Sequence, residues 1–105
     1  MNHVCLNGRV IKNAIITGEG RVLKFLLSCK HRYKKKNVVT EIETIVPCIV
    51  FDPPAELKES LDGKSTIYIS CTGRISRSSY EKPDGEKHYS TDIVLDPVSI
   101  IMRKQ

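Results

Sequence analysis

Gly73–Leu95, GRISRSSYEKPDGEKHYSTDIVL, decides how this chain is built. Together with the residues from Ile67 onward it reads as one long β-hairpin. On the outgoing strand Ile67, Ile69, Cys71, Gly73 and Ile75 fall on one alternating face. Tyr68, Ser70, Thr72, Arg74, Ser76, Ser78 and Tyr80 fall on the other. A period of two marks a half-buried strand. The return strand repeats it, with Tyr89, Thr91, Ile93 and Leu95 opposite His88, Ser90 and Asp92. Pro83-Asp84-Gly85 supplies the reversal, because Pro presets φ and Gly accepts a positive φ. Both strands outrun their apolar positions, so the tip is expected to project beyond the core. An arm carrying Arg74, Arg77, Tyr80, Lys82 and Lys87 suits a nucleic-acid strand.

Upstream of this hairpin the same periodicity recurs. A first strand is expected over about His3–Ile11, with Val4, Leu6, Gly8 and Val10 on one face; Gly8 inside it implies a bend or a close backbone approach. Thr17-Gly18-Glu19-Gly20 is a turn, and a second strand follows with Leu23, Phe25, Leu27 and Cys29 facing in and Lys24 and Ser28 facing out. Lys30–Asn37 is expected to be a loop, since adjacent like charges resist packing. A third strand spans Val38–Phe51, and Pro47 within it predicts an edge or a bulge. Asp52-Pro53-Pro54 is expected to open a short helix, with Asp52 as its N-cap and Pro at the first helical position. Leu57 and Leu61 share one face of it and Gly63 ends it. The fourth strand is placed from near Ser65, and a β-tail at Val98–Met102 closes the chain. One helix between strands three and four of a five-stranded meander fits an all-β domain, the small Greek-key barrel called the OB-fold, filling residues 1–105 as a single domain; the pattern alone also admits small β-barrels of other kinds.

At 105 residues the chain holds one modest core without staples. It has no apolar run near the length of a transmembrane helix and no signal-peptide pattern at MNHVCLNGRV, so a soluble cytoplasmic protein is expected. The formal charge is +5, and Lys30, Arg32, Lys34, Lys35 and Lys36 account for the excess: with them set aside, basic and acidic residues balance at 12 each. Concentrated positive charge points to an anionic partner; the competing reading is a solvated lysine loop. Cys5, Cys29, Cys48 and Cys71 lack zinc-type spacing and read as small buried hydrophobes rather than metal ligands or disulfides. His3, His31 and His88 are scattered and give no ligand spacing. HYSTD (His88–Asp92) cannot form a triad by adjacency, because strand neighbours alternate faces. No phosphate-binding glycine loop is present. These absences speak against an enzyme, a cofactor and a small-molecule substrate.

Three stretches carry a resemblance. MNHVCLNGRV resembles the Met-Asn-x-Val-x-Leu-x-Gly opening of bacterial single-stranded DNA-binding proteins. PAELKESLDGKSTIYISCTGRI resembles their helix-Gly-strand segment, and YEKPDGEKHYSTDIVL their aromatic-turn-Gly-x-x-Tyr-x-Thr hairpin. The resemblance covers almost the whole chain. It implies an OB-fold pairing through its first strand into a homodimer or homotetramer, single-stranded DNA as ligand, replication proteins as partners and association with the nucleoid. The family's DNA-stacking aromatics fall on Tyr33, Ile45, Phe51 and Tyr80. Ile45 stands where a Trp is usual, and Pro47 where a basic residue is common. The family's glycine-rich tail with its acidic tip has no counterpart before Arg103-Lys104-Gln105, which predicts a shortened or divergent member, of phage or mobile-element type.

Non-specific single-strand binding needs cations that track the backbone and flat faces for exposed bases. The candidate set is therefore Lys24, Lys30, Arg32, Tyr33, Lys34, Lys35, Lys36, Phe51, Arg74, Arg77 and Tyr80. Each has a bland counterpart. Tyr80 is a stacking platform or a cross-strand partner, and Phe51 packs in the core or meets a base. Tyr33, inside the basic segment, has few core partners. Tyr89 follows the apolar face and reads as structural. Arg74 and Arg77 are out of phase, and Arg74 shares Tyr80's face. Two other functions compete. One is a primosomal or replisome assembly factor on the same barrel, for which the lost Trp position speaks. The other is an OB-fold nuclease, against which the lack of a carboxylate-Arg constellation speaks.

Overall fold

The computed structural model describes residues 1–63 and 66–104. Its elements are β1 (Val4–Thr17), β2 (Val22–Lys35), β3 (Val38–Phe51), α1 (Ala55–Leu61), β4 (Ile67–Glu81), β5 (Lys87–Leu95) and β6 (Ile101–Lys104), with a 3₁₀ turn at Pro97–Ser99. The sheet order is β1-β2-β3-β5-β4-β6, and β1 also pairs with β4. That last pairing closes a five-stranded barrel, consistent with an OB-fold, with β6 as an added edge on β4. All pairings are antiparallel except β3 with β5.

β1 serves two neighbours. Val4–Arg9 pairs with β4 and Arg9–Thr17 with β2. The strand extends past its expected end at Ile11 because a register shift between Ile11 and Ile15 absorbs the break in alternation there. Gly8 stands at the closure. A β-carbon there would lie 2.4 Å from the carbonyl oxygen of Ser28, so the expected close approach is met and only glycine fits. Gly73 is its counterpart on β4, where a β-carbon would lie 2.4 Å from the carbonyl oxygen of Val94.

The core follows the predicted alternation. Leu23, Phe25 and Leu27 of β2, Cys48 and Val50 of β3, Ile67, Ile69 and Cys71 of β4, and Ile93 and Leu95 of β5 are buried around Val10 and Leu57 of α1. Burial pushes the Cys48 thiol up to about 12 and the Cys71 thiol up to about 11, so both stay protonated and pack as small apolar groups. Cys5 departs from that reading: it is exposed, with its Sγ 3.5 Å from Nε2 of His3.

Three local expectations are corrected. Lys30–Asn37 is not a loop: β2 runs to Lys35 and returns after a two-residue turn, Lys36-Asn37, both at positive φ. Like charges adjacent in sequence point to opposite faces of a strand, so they do not oppose one another there. The helix begins at Ala55 with Pro54 before it and no side-chain cap, while Asp52 takes φ 51° and donates its N–H to the Arg21 carbonyl at 2.7 Å. Ser65 lies outside the described residues, and β4 starts at Ile67. The tail is strand only from Ile101, because Pro97 and the Asp96 carboxylate, which accepts from the Val98 N–H, wind 97–99 into a 3₁₀ turn. Pro47 produces no bulge. It lies one residue before β5 joins β3, where the strand has a ladder neighbour on one side only.

Two ribbons project from the barrel. The outer half of β2–β3 ends at Lys36-Asn37. The β4–β5 arm ends at Pro83–Gly85, where Gly85 takes φ 87° and donates to the Lys82 carbonyl at 2.9 Å. They stretch the molecule to 51 × 34 × 29 Å and its radius of gyration to 15.6 Å. A compact chain of this length would have about 13 Å.

Candidate nucleic-acid interface

Residues directly opposite in a ladder share a face of the sheet. In β2, β3 and β5 the buried positions are Leu23, Phe25, Leu27, Cys48, Val50, Ile93 and Leu95, so the intervening residues point outward. Lys24 pairs with Ile49, Ile49 with Val94, and Val94 with Arg74. One row of outward side chains thus crosses four strands and joins two of the sequence candidates. Phe51 and Ile45 lie on the same face of β3, with Phe51 49% exposed and Ile45 42%. The choice for Phe51 between core and surface is decided for the surface. Tyr80 continues Arg74's face up the arm and is 54% exposed. Lys24, Phe51, Arg74 and Tyr80 therefore belong to one surface.

The remaining candidates divide. Lys30, Arg32 and Lys34 alternate on the outward face of the β2–β3 ribbon, opposite Glu43, Glu41 and Val39. Glu41 engages two of them: Arg32 Nε donates to its Oε2 at 2.9 Å, and Lys30 Nζ lies 3.5 Å from its Oε1. The Arg32 hydrogen bond first, and then the Lys30 charge, hold the Glu41 carboxyl below its ordinary value. Lys36 sits in the turn. Tyr33 and Lys35 face the other side of the ribbon, away from Phe51, and Tyr33 stacks on His31 at 6.5 Å between ring centroids. Arg77 likewise turns from Tyr80 and lies over the Tyr89 ring, 4.5 Å from its centroid. Tyr89 is exposed rather than packed in the core, contrary to the structural reading.

Two participants were not in the sequence set. His88 pairs with Tyr80 across the arm, and their rings stack at 5.5 Å with planes 22° apart. Counting outward from the Pro83–Gly85 turn would have found that pair. Asn2 is the other: its side-chain amide donates to the Ile75 carbonyl at 2.8 Å and accepts from the Ile75 N–H at 2.9 Å. It extends the β1–β4 ladder beyond Gly73 and secures the base of the arm. Among the described residues no three His, Cys, Asp or Glu side chains are grouped as a metal site, and no helix is long and apolar enough to cross a membrane.

Known proteins fit this geometry. A model of the single-strand binding protein family matches residues 1–101. The chain belongs to that family. A single-stranded DNA-binding protein of Streptococcus pyogenes serotype M3 is 30% identical over 99 residues, 91% of this chain and 60% of that protein. One from Clostridium tetani is 33% identical over 107 residues, 96% of this chain and 70% of the relative. The chain thus spans about 60% of the streptococcal relative's length. Among solved structures, the Plasmodium falciparum SSB complex with ssDNA superposes with a TM-score of 0.65 at 16% identity, covering 100% of this chain and 95% of that one. At that identity the likeness is one of fold. OB-folds of this kind commonly use the face of strands two and three and the loop between strands four and five for oligonucleotides. Lys24 and Phe51 lie on strands two and three, and Arg74 and Tyr80 lie on strand four, which leads into that loop.

Proposed function

We propose that this chain binds single-stranded DNA without reading its sequence, through base stacking on exposed rings and phosphate contacts from flanking cations. The observation that carries the reading is the shared outward face of Lys24, Phe51, Arg74 and Tyr80, on a barrel of the single-strand binding protein family. Phe51 and the Tyr80–His88 pair supply flat surfaces, and each base stacked on a ring contributes roughly 1–3 kcal/mol. Lys24 and Arg74 share the outward face of those rings, and Lys30, Arg32 and Lys34 continue that face along the β2–β3 ribbon. Neither kind of contact reports base identity, which supports weak sequence preference. In the cell the chain acts as a homo-oligomer on exposed strands at the nucleoid during replication, recombination or repair, alongside replication proteins.

Tyr33 and Arg77 enter this account differently. Each faces the opposite side of its ribbon, so they serve a strand only where it wraps around a ribbon. Replacing Tyr80 and Phe51 together by Ala is expected to weaken binding of oligo-dT by at least tenfold, given the stacking energies above. Tyr33→Ala is expected to do less. Fluorescence anisotropy reads both. Unchanged affinity in the Tyr80/Phe51 double variant would overturn the stacking face.

A further inference from the structure

A second row of outward residues crosses the far side of the barrel. Ile45 pairs with Ser28, Ser28 with Arg9, Arg9 with Tyr68, and Tyr68 with Arg103. Five strands contribute one residue each. In the middle of the row lies a cavity of about 360 Å³ whose walls include Asn7, Arg9, Ser28, Lys30, Tyr68 and Arg103. Its residues come from four strands that are far apart in sequence, which is why no local motif announces it.

The chemistry of the lining is one-sided. Three cations enter it and no carboxylate does. Lys30 is shared with Glu41, which stands beside the cavity rather than in it; neither Arg9 nor Arg103 makes an ion pair among the described residues. Arg103 is spread over the Tyr68 ring, 5.6 Å from its centroid, which holds the guanidinium at the rim. At the floor is Ser28, 2% exposed, whose Oγ is buried and has no hydrogen-bond partner. A buried hydroxyl left unpaired is uncommon and costly unless something in the site completes it. Gly8 keeps the floor in shape, because β1 there touches the Ser28 carbonyl.

We infer that this cavity is a phosphate subsite, and that a bound single strand passes from the Phe51–Ile45 face over Ser28 to set one backbone phosphate between Arg9, Lys30 and Arg103. The inference rests on the single-strand reading for the source of the phosphate, but its chemistry stands alone. An anion with several acceptor oxygens satisfies the Ser28 hydroxyl and the two guanidinium groups at once. Ile45 sits on the adjoining rung, so the row leads directly from the stacking face into the cavity.

Two measurements on the full chain test it. The first follows amide NMR shifts of Gly8 and Ser28 during titration with inorganic phosphate. Saturable shifts that Ser28→Ala and Arg9→Ala remove are expected, and absence of saturable shifts in the unaltered protein would overturn the site. The second measures oligo-dT binding against salt. Arg9→Ala and Arg103→Ala are each expected to lower the slope of log K on log salt by about 0.7, the value for one phosphate contact on a single strand. Ser28→Ala is expected to weaken oligo-dT binding roughly threefold to tenfold. It should not lower the thermal midpoint, since the hydroxyl makes no bond in the free protein. Unchanged slopes and affinity, with the unaltered protein binding normally, would remove the cavity from the strand's path. Should the unaltered protein fail to bind oligo-dT at all, the single-strand reading falls with the path, and the phosphate titration still decides whether the cavity is an anion site.

Discussion

Glu41 is the residue whose role turns most sharply on the structure. In sequence it is one of several acids between apolar positions. In the folded chain it stands opposite Arg32 and draws Lys30 to the same carboxylate, so it competes with any phosphate for the two cations. Removing it by Glu41→Gln is expected to tighten oligo-dT binding and to steepen its salt dependence, because two cations become available to release counterions. Weaker binding in that variant would mean that Glu41 positions the cations rather than occupying them. The pH dependence has a definite sign. The Glu41 carboxyl is held below its ordinary 4.5, so the pairing is complete above that value and is lost as pH falls through the depressed one. Acidification in that window should release Arg32 and Lys30 in the unaltered protein and change nothing at this position in Glu41→Gln. Being exposed, the pair adds little to fold stability, and its effect belongs to binding.

At the scale of elements, the strands and turn of the β4–β5 arm were legible, though not the Tyr80–His88 stack, and the β2–β3 ribbon was not. Ile67 to Ile75 and Tyr89 to Leu95 alternate cleanly, and Pro83-Asp84-Gly85 fixes the turn, so the faces of Arg74, Arg77 and Tyr80 follow by counting. Lys30–Lys35 has no apolar alternation of its own. What makes it strand is its partner: Val38, Val39, Ile42 and Glu41 on the return strand, all paired to it through a two-residue turn that no glycine marks. Lys36 and Asn37 take the positive φ values themselves, and Asn is the better suited of the two. β1 was cut short for a similar reason, since its second half is held by β2 across a register shift. Gly8 was legible as a close approach, though what it approaches was not. Gly8→Ala is expected to destabilise the fold by about 1–3 kcal/mol, because the added carbon meets main chain rather than a movable side chain. Urea denaturation checks it, and an unchanged midpoint would mean that β1 can shift away from Ser28 freely.

For the molecule as a whole, the barrel works as a frame that brings outward residues of non-adjacent strands into rows. Lys24-Ile49-Val94-Arg74 is one row and Ile45-Ser28-Arg9-Tyr68-Arg103 the other. Neither is visible along the chain, because a row depends on register between strands up to dozens of residues apart. Sequence reading found the cations of the first row singly and none of those that only the second row supplies, Arg9 and Arg103. The excess charge is concentrated on one projecting ribbon, which also carries the exposed Tyr33; Phe51 stands at the opposite end of β3, and Tyr80 and Tyr89 lie on the β4–β5 arm. This arrangement fits a flexible strand laid over a curved surface better than a rigid duplex. The measurement that tests it most directly is an anisotropy titration of labelled oligo-dT at two salt concentrations, with unlabelled duplex as competitor. The account predicts salt-sensitive binding that oligo-dT competes and duplex does not. Binding that duplex competes equally well, or that salt leaves unchanged, would contradict it.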